Sequence, residues 1–245
     1  MNIRMLVYIL GKVLLIEGAL MLMPVICGLF YGEVQVFYYI GLAAIYIGAG
    51  FLISLKKPKN MTIFIKDGCV ATALSWLVLS VCGCSPFVLT REIPSFPDAM
   101  FETASGFTTT GASILTDVEA MSHTSLMWRS LTHWIGGMGV LVFLLAVVPM
   151  TGGSNMNLMR AESPGPTVGK IVPKVRSTAK MLYLIYLVMT LTEIILLFVC
   201  GMPLFDSICS AFGTAGTGGF GVKNDSFASY APHIQWIVGV FMIMF

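Results

Sequence analysis

PDAMFETASGFTTTGASILTD, running from Pro97 to Asp117, and FDSICSAFGTAGTGGFGVKND, running from Phe205 to Asp225, are the two stretches on which the fold turns. Slid onto each other without a gap, they superpose Asp98 on Asp206, Thr109 on Thr217, Gly111 on Gly219 and Asp117 on Asp225, and Trp128 then falls on Trp236. Five matches in one register, several in uncommon residue types, point to an internal duplication with a period of 108 residues (206 − 98). Each copy is a polar, glycine-bearing turn between hydrophobic helices. A helix, a re-entrant loop and a second helix, used twice in one orientation, is the plan of an ion-selective pore.

The composition sets the surroundings of this element. A chain of 245 residues that is 57% hydrophobic and 11% charged cannot hide its apolar side chains in one soluble core. Crossing a bilayer takes roughly 20 apolar residues in a helix. The uncharged runs Val36 to Leu55, Gly68 to Thr90 and Ser130 to Met159 meet this, as do Lys12 to Tyr31 around Glu17 and Met181 to Phe205 around Glu193. An acid inside the first span and the lack of a small-residue cleavage site make it a retained helix rather than a signal peptide. The six cysteines, Cys27, Cys69, Cys82, Cys84, Cys200 and Cys209, lie in or beside apolar runs without CxxC spacing and read as packing residues.

Lysine and arginine set the orientation, because cytoplasmic loops retain positive charge. Arg4 and Lys12, then Lys56, Lys57, Lys59 and Lys66, then Arg160, Lys170, Lys174, Arg176 and Lys180 occupy alternate segments, which places the N-terminus in the cytoplasm. The opposite face holds Arg91 and Lys223 against Glu33, Glu92, Asp98, Glu102, Asp117, Glu119, Asp206 and Asp225. An outer mouth this acidic would concentrate cations, although each acid alone can equally be a solvated surface charge.

Between the third and fourth spans, Thr103 to Leu115 carries no charge and is too short to cross, which suits a re-entrant segment entering from outside and returning as extended chain. Ser95, Pro97 and Asp98 supply a cap, a first-turn proline and a first-turn acid for its helix, and Pro203 and Asp206 do so in the second copy. The carbonyl end of each short helix then points at the membrane centre and favours a cation there. Thr108, Thr109, Thr110, Gly111 and Ala112 follow the first helix, and Gly216, Thr217, Gly218, Gly219 and Phe220 the second. Glycine tolerates the dihedrals needed to aim successive carbonyls at an ion, and threonine adds stiff packing behind.

SGFTTTGAS at Ser105 to Ser113, HWIGGMGV at His133 to Val140 and GTGGFG at Gly216 to Gly221 resemble the Trk/Ktr/HKT superfamily of potassium transporters, and within it the bacterial Trk membrane subunit, over the whole chain. The resemblance implies an all-α integral membrane protein of potassium-channel-type helix, pore loop, helix repeats with two extra N-terminal helices. It divides the chain into a two-helix extension (1–60), a first repeat (61–150), a cytoplasmic linker (151–178) and a second repeat (179–245). Carried over, the filter residues are Thr109, Thr110 and Gly111 with Gly218 and Gly219, and Thr108, Ala112, Thr217 and Phe220 support them. Potassium would sit at Thr110, Gly111, Gly218 and Gly219; glycine at Gly111, where some sodium-preferring relatives have serine, implies potassium preference. The resemblance also implies the bacterial inner membrane, a lipid surround, a homodimer and a cytoplasmic nucleotide-binding ring docked on the linker side. No cofactor beyond the transported ion and no nucleic-acid partner are expected.

The family has four such repeats and this chain two, with a last helix from about His233 to Phe245 that is short for a crossing. The remaining repeats of a parent polypeptide would complete the ring. Alone, the chain is expected neither to close a filter nor to conduct, and ion flux through the purified 245-residue protein in liposomes would overturn this.

Arg129 and His133 share a face of the fourth span, where Arg129 either tunes the outer vestibule or, as weighed more heavily, snorkels or pairs with an acid such as Glu119. Glu17 and Glu193 are expected to have a structural partner or a proton rather than a transport role. Gly136, Gly137 and Gly139 suit close helix packing. There is no GxSxG, HExxH or GxxxxGKS string, so catalysis is not expected. Two other readings compete: an ion-coupled secondary carrier with re-entrant hairpins, disfavoured because such hairpins usually come as inverted repeats, and a non-transporting membrane assembly or regulatory subunit.

Overall fold

The computed structural model describes residues 2–56, 58, 65–139 and 175–245. Lys57, Lys59, Arg160, Lys170 and Lys174, the later part of the fourth expected span and most of the linker expected at 151–178 lie outside the described residues. Among the described residues the chain is all α-helical. In order the helices are α1 (Ile3–Leu20), α2 (Leu22–Tyr31), α3 (Val36–Ser54), α4 (Ile65–Gly83), α5 (Ser85–Leu89), α6 (Phe96–Phe107), α7 (His123–Met138), α8 (Val175–Val199), α9 (Leu204–Ala215) and α10 (Pro232–Met244).

Four stretches among the described residues are long and apolar enough to cross a membrane: Ile3–Tyr31, Val36–Ser54, Lys66–Leu89 and Ala179–Val199. The first is longer than the run expected from Lys12, and it breaks between α1 and α2 at Met21. Pro24 explains the break, since it has no N–H to donate to the Leu20 carbonyl and its ring crowds that carbonyl. The last ends at Val199, short of the expected Phe205, because Gly201 takes a left-handed φ of 94° and Pro203 caps the next helix.

Helices α1 and α3 form a tight antiparallel pair. A Cβ on Gly50 would come within 2.6 Å of the Gly11 carbonyl oxygen and the Leu15 nitrogen, so only glycine permits this approach. The centre of the molecule is α7, which packs against α2, α6 and α9. Its buried Trp128 donates from Nε1 to the Gly83 carbonyl at 2.9 Å and meets the Phe107 ring edge-on. Helices α6 and α9 both pack against α7, and the loops that leave them come into contact.

Candidate ion-coordinating site

Each loop begins where a 12-residue helix stops. Helix α6 starts after Ser95, whose side chain makes no capping bond, with proline and Asp98 in its first turn; α9 starts after Pro203 with Asp206 in its first turn. The loops then repeat the same positive-φ positions. Thr109 and Thr217 have φ of 54° and 55°, and Gly111 and Gly219 have φ of 75° and 76°. Left-handed residues two positions apart do not occur in a regular helix or strand. Placing a β-branched threonine there is costly, so the surroundings must enforce it. Short turns do so: Thr109 N–H donates to Gly106 O (3.0 Å), Thr110 N–H to Ser105 O (2.9 Å), Thr217 N–H to Thr214 O (2.7 Å) and Gly219 N–H to Gly213 O (3.1 Å).

The two loops touch. A Cβ added to Gly111 would fall on the carbonyl oxygen of Gly218, and one added to Gly218 would approach Thr109 O at 2.9 Å. Of the residues singled out from the sequence, Thr109, Gly111 and Gly218 therefore meet at one place. Thr110 is exposed beside them, its hydroxyl 2.8 Å from that of Thr108. A Cβ added to Gly219 would meet only the Met242 side chain, at 3.4 Å. Thr108, Ala112 and Thr217 are exposed, and Phe220 is buried.

Behind the loops lies a polar layer. Ser105 donates to Ala112 O at 2.6 Å. The corresponding Gly213 has no side chain to donate, and the Phe220 carbonyl moves up against it instead. Arg129 is 3% exposed and its Nε donates to Glu102 Oε1 at 2.6 Å. Arg129 thus pairs with an acid, as expected, and does not snorkel; the acid is Glu102, which faces it from the neighbouring α6, rather than Glu119, which accepts from the Asn224 N–H at 3.1 Å. Glu102 is thereby removed from the acidic mouth. The ring of His133, one turn further along α7, packs against Gly218 and lies 3.9 Å from the Phe220 ring.

Several other acids expected on the acidic face also have structural work. Glu92 accepts the Ser122 N–H (2.9 Å), Asp206 the Tyr230 hydroxyl (2.7 Å), and Asp117 the Asn224 side-chain amide (2.9 Å), while Asn224 Oδ1 accepts Val118 N–H (2.7 Å). Asn224 thus ties the loops after the two short helices together. Glu33 accepts the first N–H groups of α7, His123 at 2.8 Å and Thr124 at 2.9 Å, and the Thr124 hydroxyl at 2.6 Å. Partial burial pushes the Glu33 carboxyl up, but the hydrogen bonds from Thr124 and His123 outweigh it and hold the group below its ordinary value. Glu17 is fully buried in α1 beside Gly83, and its oxygens have no hydrogen-bond partner among the described residues. Glu193 is fully buried in α8, which packs against α9. The six cysteines are free thiols.

Glu102 was legible only as one acid among eight. Spacing alone does not say which acid an arginine 27 positions away will face, since Asp117 and Glu119 lie between them.

Known proteins resemble this arrangement throughout. The chain is 33% identical over 250 residues to the Trk system potassium uptake protein TrkH of Salmonella typhimurium, with 100% of this chain and 51% of that protein covered. It is 31% identical to the Trk system potassium uptake protein TrkG of Escherichia coli, with 99% and 51% covered. The crystal structure of the potassium transporter TrkH from Vibrio parahaemolyticus superposes with a TM-score of 0.83 at 27% identity, over 100% of this chain and 50% of that one. The chain thus spans about half the length of the relatives it matches. Since the profile of the TrkH cation transport proteins matches residues 33–244, this chain belongs to the TrkH family.

Proposed function

We propose that this chain supplies two of the four carbonyl-bearing segments of a filter that passes potassium across the bacterial inner membrane. The observation that carries the reading is the meeting of two loops with the same alternating torsions, Thr109 to Gly111 and Thr217 to Gly219, each at the carbonyl end of a short helix. Carbonyl oxygens at Thr110, Gly111, Gly218 and Gly219 stand in for water around the ion. The helix ends add negative potential, so dehydration is offset without covalent chemistry. The other two segments come from sequence beyond these 245 residues, in keeping with relatives twice as long.

The N-terminus lies in the cytoplasm on the evidence of the lysine and arginine distribution. Residues 61–150 and 179–245 are the two repeats, 1–60 the extension, and 151–178 the cytoplasmic surface on which a nucleotide-binding ring docks; a homodimer follows from the same family resemblance. A carrier built on inverted hairpins is disfavoured because the two loops repeat in the same sense. The test is Gly111→Ser in the natural polypeptide that carries this sequence, reconstituted and assayed for potassium and sodium flux. Discrimination against sodium should weaken; an unchanged permeability ratio overturns the assignment.

A further inference from the structure

We propose that the buried pair of Arg129 and Glu102 is a positioning element that ties both loops to a single post and so sets the ion discrimination of the filter. The proposal rests on the filter reading above and adds to it which residues hold the filter in register.

Each pole of the pair holds a different loop. Glu102, with its side chain fully buried, accepts the Ser113 hydroxyl at 2.9 and 3.1 Å and the Ile114 N–H at 2.9 Å, just past the first loop. Arg129 donates from Nη1 to the Gly221 carbonyl at 2.9 Å, just past the second loop, and its guanidinium carbon lies 3.6 Å from the Phe220 ring centroid. In the 108-residue register Ser113 corresponds to Gly221 (113 + 108). Equivalent positions of the two copies are therefore held by the opposite ends of one ion pair.

The second copy has no such pair of its own. The counterparts of Glu102 and Arg129 are Ser210 (102 + 108) and Ile237 (129 + 108), neither of which carries charge. The second loop therefore borrows its anchor from the first. Stability alone does not explain the arrangement, because a buried ion pair replaced by apolar side chains is often neutral or stabilising. What the pair adds is direction: the planar guanidinium donates to Glu102 and to Gly221 at fixed relative angles, which fixes the distance between the loops.

Arg129→Lys keeps the charge but cannot reach both acceptors with one planar fork. In the natural polypeptide carrying this sequence, assayed in proteoliposomes with rubidium and sodium, the permeability ratio should fall about tenfold, because displacing coordinating atoms by a fraction of an ångström loses that much. Amount in the membrane and thermal unfolding are measured on the same samples. Should Arg129→Lys not fold, Ser113→Ala decides; it removes one strut, leaves the ion pair, and should lower the ratio about threefold by the same reasoning. An unchanged ratio in the folded variant, with or without lost stability, overturns the proposal. Gly111→Ser is run alongside: if it leaves the ratio unchanged the filter reading has failed, whereas a drop there with none at Arg129 or Ser113 sinks the positioning role alone.

Discussion

The first and second copies share their loop torsions and little of their setting. Trp128 in the first is 0% exposed and holds Gly83; its counterpart Trp236 in the second is 75% exposed. Helix α7 is buried along most of its length, wedged between both short helices, while α10 buries Ile234 and Val238 and rests on α8 and α9. The same left-handed positions on unlike scaffolds teach that this loop conformation does not depend on a shared setting. The scaffold is free to differ because α7 braces both loops through Arg129 on one face and His133 beside it.

The sharpest way to break this comparison is a methyl group on each copy. Gly111→Ala puts its Cβ on the Gly218 carbonyl as well as into a left-handed torsion, whereas Gly219→Ala meets only the flexible end of Met242 at 3.4 Å. Ion uptake should drop about a hundredfold for the first through misplaced oxygens, and about tenfold or less for the second through roughly 1–2 kcal/mol of torsional strain. Equal losses would show that the loops do not differ in how closely they are opposed.

Next in size is the tryptophan pair. Trp128→Phe removes a buried hydrogen bond and leaves a small void, costing about 2–3 kcal/mol, while Trp236→Phe in this 245-residue chain should stay within about 0.5 kcal/mol. Denaturant titration in detergent measures both, and a large effect at Trp236 would mean that α10 is covered in solution.

A smaller effect separates the starts of the two helices. Glu33 and Ser122 cap α7, and α10 begins after Ala231 with no side-chain cap. Glu33→Gln should cost about 1 kcal/mol at neutral pH. Because the Glu33 value is depressed in the folded state, its contribution is complete above the ordinary 4.5 and is lost as pH falls through the lower, folded value. The variant should therefore lose less stability than the parent across that acid range; parallel pH curves would remove Glu33 as the cap. The least effect is expected of Asn224→Ala, about 0.5 kcal/mol for an exposed link, read as faster hydrogen exchange at Val118.

Much of the fold was legible because it follows from solvent and period. Apolar length marked the four described spans, and Thr109, Gly111 and their counterparts marked the loops through a repeat that needs no knowledge of packing. Side-chain partners were not legible. Arg129 faces Glu102 because α6 folds back against α7, a tertiary fact that helical spacing does not encode. The early end of α8 was available in Gly201 and Pro203, but hydropathy averaged over a window runs through such a turn. The break at Met21 was likewise written in Pro24, inside a run whose apolar character is uninterrupted.

The left-handed torsions at Thr109 and Gly111, and again at Thr217 and Gly219, are a property of the main chain. Such a device is heritable without its side chains. Exposed positions such as Thr110 and Ala112 can change while these torsions persist, so a different side chain there is poor evidence that the loop conformation has been lost.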